Sequence, residues 1–193
     1  MTPTKAPFSS FDFDENHRFR LKMHWEPHFF WQEEEEETWW CIACTTCKEL
    51  NFGQSGEGCK RVDRCSEGDQ IWLQPCHDDA PYNGEVFGFV DVGKDFHQIK
   101  NHRTNLCLER TLTRYVTLEP CGDPLGSVPL RQLWFGMRGD GAPFEIRPAL
   151  ESMDPEPFCL TQQHHPKNYE IVALKECRWA HFYDTGFWVQ YRL

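Results

Sequence analysis

The chain has 193 residues, with 30 acidic against 20 basic for a net charge of -10, and 15% of it is aromatic. That length holds one well-buried domain with an appendage rather than two full domains, and a surface of that sign repels a phosphate backbone, so nucleic acid is excluded as a partner. No stretch approaches the ~18 apolar residues of a membrane-spanning helix, and the 13 glycines and 13 prolines suit short strands joined by turns.

In chain order, the first element is an arm. Met1 to Phe13 is interrupted by Lys5, Pro7 and Asp12, so no presequence is visible there. The first forty residues carry Phe8, Phe11, Phe13, Phe19, Trp25, Phe29, Phe30, Trp31, Trp39 and Trp40, at neither helical nor strand spacing. Five successive glutamates, Glu33 to Glu37, then read as a solvated linker. Residues 1–40 are therefore expected to be an extended, mostly irregular arm and linker, and deleting residues 1 to 32 is expected to leave the rest of the chain folded. Its rings at Phe8, Phe11, Phe13, Phe19, Trp25, Phe29, Phe30 and Trp31 are expected to dock on a protein partner, because aromatic anchors dominate interfaces.

Next come Cys41, Cys44 and Cys47, spaced C-x2-C-x2-C, with Cys65 further on. The ten cysteines are an even number at a density that favours disulfides, and hence an oxidising compartment such as the cell exterior or an organelle lumen. Cys41, Cys44, Cys47 and Cys65 are expected to pair among themselves; the alternatives are a four-thiolate zinc site or an iron–sulfur cluster.

From Cys41 onward the chain repeats itself about every fifty residues. Gly58-Cys59-Lys60, Gln74-Pro75-Cys76 and Val86-Phe87 mark a first copy; Leu106-Cys107-Leu108, Glu119-Pro120-Cys121 and Gln132-Leu133-Trp134 a second; Phe158-Cys159-Leu160, Lys175-Glu176-Cys177 and Phe187-Trp188 a third. Alternating runs such as Phe96-His97-Gln98-Ile99 and Phe144-Glu145-Ile146-Arg147 read as half-buried strands, about four per copy. The copies fall at 41–93, 94–141 and 142–193, and each is too small to bury its own apolar face.

Cys-Leu-x, an alternating strand ending in Pro-Cys or x-Cys, and Gln-x-Trp together resemble the ricin B-type lectin repeat over residues 47 to 193. The resemblance implies an all-β fold, a β-trefoil of three four-stranded repeats. It pairs Cys59 with Cys76, Cys107 with Cys121 and Cys159 with Cys177. It also implies a shallow sugar pocket in each copy, built from a carboxylate two residues after the first cysteine, a stacking ring before the second, and polar groups beside Gln-x-Trp. Here the carboxylate positions hold Arg61, Glu109 and Thr161, and the stacking positions hold Gln74, Glu119 and Lys175. The candidate ligand pocket is therefore Glu109, Glu119, Arg131, Gln132 and Trp134, whose charges are expected to neutralise one another.

No Gly-rich phosphate loop, H-E-x-x-H or G-x-S-x-G occurs, so neither catalysis nor a cofactor is expected. The leading expectation is a non-catalytic interaction or scaffold module, a structural or accessory subunit docked on a larger assembly through its arm. The alternatives are a secreted carbohydrate-binding lectin and the accessory binding domain of a longer enzyme.

Overall fold

The computed structural model describes residues 19–23, 40–44, 64–76, 83–136, 144–149, 158–162, 170–178 and 187–192. The strands come in three sets of four. The first is β1 (Phe19–Met23), β2 (Trp40–Cys44), β3 (Ile71–Pro75) and β4 (Phe87–Gly93). The second is β5 (Phe96–Asn101), β6 (Leu106–Arg110), β7 (Val116–Pro120) and β8 (Trp134–Phe135). The third opens with β9 (Phe144–Glu145) and β10 (Arg147–Pro148), one leading strand broken at Ile146, and continues with β11 (Phe158–Gln162), β12 (Glu170–Glu176) and β13 (Phe187–Arg192).

First and fourth strands close a ring. β1 pairs with β13 and β4, β4 with β5, β5 with β8, β8 with β10, and β9 returns to β13, all antiparallel. Second and third strands form the hairpins β2–β3, β6–β7 and β11–β12. These hairpins meet over one end of the ring: β12 pairs with β3, and single bridges join Gln70 to Thr117 and Tyr115 to Ala173. Closing the barrel on itself and capping it with three hairpins gives each barrel strand a neighbour on both sides. The arrangement is a β-trefoil.

The pairing registers align the repeats residue by residue. Leu21, Ile99 and Ile146 occupy one position, Ile42, Leu108 and Leu160 a second, Leu73, Leu118 and Leu174 a third, and Phe87, Trp134 and Trp188 a fourth. All twelve are buried in one core, and strands such as β4 and β7 alternate buried with more exposed positions along their length. Each such side chain taken out of water contributes about 1.5–3 kcal/mol. Trp134 Nε1 donates to Leu108 O at 3.0 Å and Trp188 Nε1 to Leu160 O at 2.8 Å, so the symmetry extends to the indole hydrogen bonds.

The first repeat departs from expectation in two ways. Phe19–Met23 lies in the barrel, paired along its length with β13, so residue 40 does not divide an appendage from the domain. The other expected docking residues, Phe8, Phe11, Phe13, Trp25, Phe29, Phe30 and Trp31, lie outside the described residues. Second, the leading cysteine is Cys41. It faces Gln74 as Cys107 faces Glu119 and Cys159 faces Lys175, and it is bonded to Cys76 across a Cα separation of 5.0 Å. The expected Cys59–Cys76 bond is thereby displaced, because Cys41, and not Cys59, sits on the strand hydrogen-bonded to β3.

Cys44 is bonded to Cys65, Cys107 to Cys121 and Cys159 to Cys177. Cys41 thus pairs outside the group of four in which it was expected to find its partner, while Cys44 and Cys65 pair within it. Cys47 and Cys59 lie outside the described residues. With Cys41, Cys44 and Cys65 oxidised, the zinc and cluster alternatives lose three of their four thiolates. Among the described residues no helix is long and apolar enough to cross a membrane.

Candidate functional site

The second repeat carries the candidate site. In the β6–β7 hairpin, Leu108 and Leu118 turn to the core, so Cys107, Glu109, Thr117 and Glu119 share the opposite, outer face. Glu109 stands directly across from Thr117, and Cys107 across from Glu119. The chain leaves β7 through Cys121, loops out, and returns by a short 3-10 turn, Leu130–Gln132, into β8.

Gln132 organises this face. Its Nε2 donates to Glu109 Oε2 at 2.9 Å and to Pro120 O at 2.8 Å. Its Oε1 accepts from Gly122 N and from Gln98 Nε2, both at 2.9 Å. Two donors and two lone pairs are all used, so the buried amide has no capacity left for a ligand. Gly122 is required where it stands, because a Cβ there would collide with Pro129 as the loop pinches shut. Trp134 is fully buried beneath. Gln132 and Trp134 are thus framework.

Glu109 is a different case. It is half-buried and held through Oε2 by Gln132, while its Oε1 has no hydrogen-bond partner among the described residues. Glu119 accepts the Thr117 hydroxyl at 3.1 Å. Arg131 is exposed, and among the described residues it forms no ion pair with either glutamate; ion pairs such as Arg147–Glu145 and Arg178–Glu176 lie elsewhere. The expected mutual neutralisation of Glu109, Glu119 and Arg131 does not occur among the described residues, since each glutamate is engaged by a neutral group instead.

The equivalent faces in the other repeats carry different side chains. The position of Glu109 is Ala43 in the first repeat, which corrects the expected Arg61, and Thr161 in the third. Ala43, Trp72 and Gln74 are all buried, and neither Gln74 amide atom nor Trp72 Nε1 has a hydrogen-bond partner among the described residues. Glu85, buried, takes the place of Gln132. In the third repeat Thr161 is fully buried opposite Ala173, and Glu145 stands where the second repeat has Gln98, paired to Arg147. Glu145 also approaches Cys159 and Cys177, but a disulfide has no thiolate to offer a metal.

No protein-family model matches the sequence, and no curated protein does either. Solved structures do. The chain has the fold of the β-trefoil lectin of the Vibrio vulnificus hemolysin/cytolysin, solved with N-acetyl-D-lactosamine bound, at TM-score 0.56 and 14% identity over 92% of this chain and 96% of that one. It is similar as well to the designed threefold-symmetric protein ThreeFoil, at TM-score 0.59 and 11% identity over 93% and 100% of the two chains. A mosquitocidal holotoxin contains the same fold in 17% of its chain, at TM-score 0.57 and 11% identity over 91% of this one.

Proposed function

We propose that this chain is a non-catalytic carbohydrate-binding module with one working pocket, on the outer face of its second repeat. The observation that carries the reading is Glu109, fixed through one oxygen by Gln132 while the other is left to accept hydroxyl hydrogens. Sugar sites need a few placed polar groups of this sort beside an apolar surface. The lectin solved with N-acetyl-D-lactosamine supports the same class of ligand through its fold. The four disulfides among the described residues suit an oxidising setting, the cell exterior or an organelle lumen.

The pocket is weak. Glu119 stands where a stacking ring would lie, so a simple galactoside binds in the millimolar range, about -4 kcal/mol. NMR titration with lactose tests this, following shifts of Thr117 and Gly122. Glu109→Gln keeps the shape and a Gln132 acceptor but removes the charge, and it should weaken binding beyond detection. Binding that Glu109→Gln leaves intact, or no glycan binding on an array, overturns the reading. Docking on a protein partner through the arm, the leading expectation from the sequence, rests on rings that, apart from Phe19 in β1, lie outside the described residues.

A further inference from the structure

One titratable side chain lies behind both supports of Glu109. In β5, His97 shares its side of the strand with the core residue Ile99, so its ring turns into the barrel while Gln98 turns outward. Outward, Gln98 Nε2 donates to Gln132 Oε1 at 2.9 Å, and Gln132 Nε2 donates to Glu109 Oε2 at 2.9 Å. Inward, His97 stands directly across from Trp134, whose Nε1 donates to Leu108 O at 3.0 Å, one residue before Glu109. His97 is thus the neighbour, along one strand or across to the next, of the two residues through which β5 and β8 hold this pocket in shape.

The ring is buried between Trp134 on β8 and the position of Asp91 on β4, with the Phe89 ring 6.1 Å away. Burial pushes the imidazole below its ordinary 6.5, and the charges of Asp91 and Asp95 draw it part of the way back. Other elements packed on β5 carry Glu85, Glu109, Arg110 and Arg131, but only Asp91 and Asp95 act on His97 through their charge. Both aspartates are exposed, at the turn end of the β4–β5 hairpin. A neutral ring therefore suits the apolar side, against Phe89 and Trp134. An imidazolium finds its attraction and its water on the other side.

We propose that His97 is a pH gate for the second-repeat pocket: neutral, it packs beside Trp134 and keeps the frame of Glu109 in place, and protonated, it shifts toward Asp91 and Asp95 and the pocket releases its sugar. This rests on the pocket being a glycan site. The two charge states of the ring are the two-state element, and β5 carries the change to Gln132 through Gln98 and to Leu108 through Trp134. The module holds its sugar at neutral pH and lets it go on acidification.

The test is NMR titration with lactose from pH 7 toward pH 5, over the range in which circular dichroism shows the native fold. Affinity should fall about five-fold, the lower end of coupling between linked sites. His97→Gln should flatten that fall. Asp91→Asn keeps the histidine but removes one of the charges that favour its imidazolium, so the fall should move to lower pH. Excess lactose should in turn lower the titration midpoint of the His97 ring protons, because linkage is reciprocal. Affinity that does not change with pH overturns the gate while leaving the pocket standing, as does a fall of the same size in His97→Gln. If His97→Gln does not fold, Asp91→Asn decides, and a fall left at its original pH overturns the gate. If lactose binds at no pH, the pocket itself is lost and this inference with it.

Discussion

His97 shows how a single side chain couples the barrel to pH. It lies buried in β5, across from Asp91 and Trp134 in the two flanking strands, with its ring 6.1 Å from that of Phe89. Burial lowers its pKa from the ordinary 6.5, and the charges of Asp91 and Asp95, with an Asp95 backbone hydrogen bond, only partly restore it. A His that resists protonation in the folded state makes the unfolded chain bind more protons as pH falls below about 6.5. Its contribution to stability is therefore complete above that pH and declines below it, until the folded group also titrates. Urea unfolding at pH 7 and pH 5 should show a smaller loss on acidification for His97→Gln than for the unaltered chain. An equal or larger loss in the variant removes His97 as a cause.

Hairpins are the units that the disulfides reinforce, and the β2–β3 hairpin is the unusual one. Its bond, Cys41–Cys76, closes a sequence separation of 35, against 14 for Cys107–Cys121 and 18 for Cys159–Cys177. In the chain-entropy account, closing the longer loop contributes about 4 kcal/mol and closing the shorter ones about 3 kcal/mol. Replacing Cys41 and Cys76 together by Ala should thus cost more stability than replacing Cys107 and Cys121, measured by urea unfolding. Finding Cys76 linked to another cysteine in non-reducing peptide mapping refutes the assignment. That long connection also explains what was hard to read. In the second and third repeats the two cysteines lie close in sequence, so the strands through Leu108, Leu118, Leu160 and Leu174 and the closing Trp134 and Trp188 were legible from spacing alone. In the first repeat Cys59 mimicked that spacing, drawing the alignment away from Cys41 and placing Arg61 where Ala43 stands. Of the proposed site, Glu109 could be picked out by its place two residues after Cys107, but its surroundings could not. Gln132 bridges to Gln98, Gly122 and Pro120 through contacts that no local pattern encodes.

At the scale of the whole molecule, β1 links the two ends of the described chain. Phe19, Leu21 and Met23 alternate with Arg20 and Lys22, a half-buried strand pattern hidden by the density of rings around it. Because β1 pairs with β13, β2 and β4, and Leu21 fills a core position, removing the arm as a whole should open the barrel. A chain lacking residues 1–18 should unfold cooperatively with a melting temperature close to that of the full chain. One lacking residues 1–23 should lose near-UV circular dichroism and the cooperative transition. Retention of a normal transition by the shorter chain shows that the barrel closes without β1. The same strand sets the order of events during synthesis. Phe19 is matched to Arg192, so β1 leaves the ribosome long before the strand that it pairs with. Local hairpins such as β6–β7 pair early, while closure of the ring is a long-range step of the kind that slows folding. At a synthesis rate of about 5–20 residues per second, β1 and its future neighbours remain open edges for many seconds, and during that interval the nascent chain needs protection from pairing with other chains.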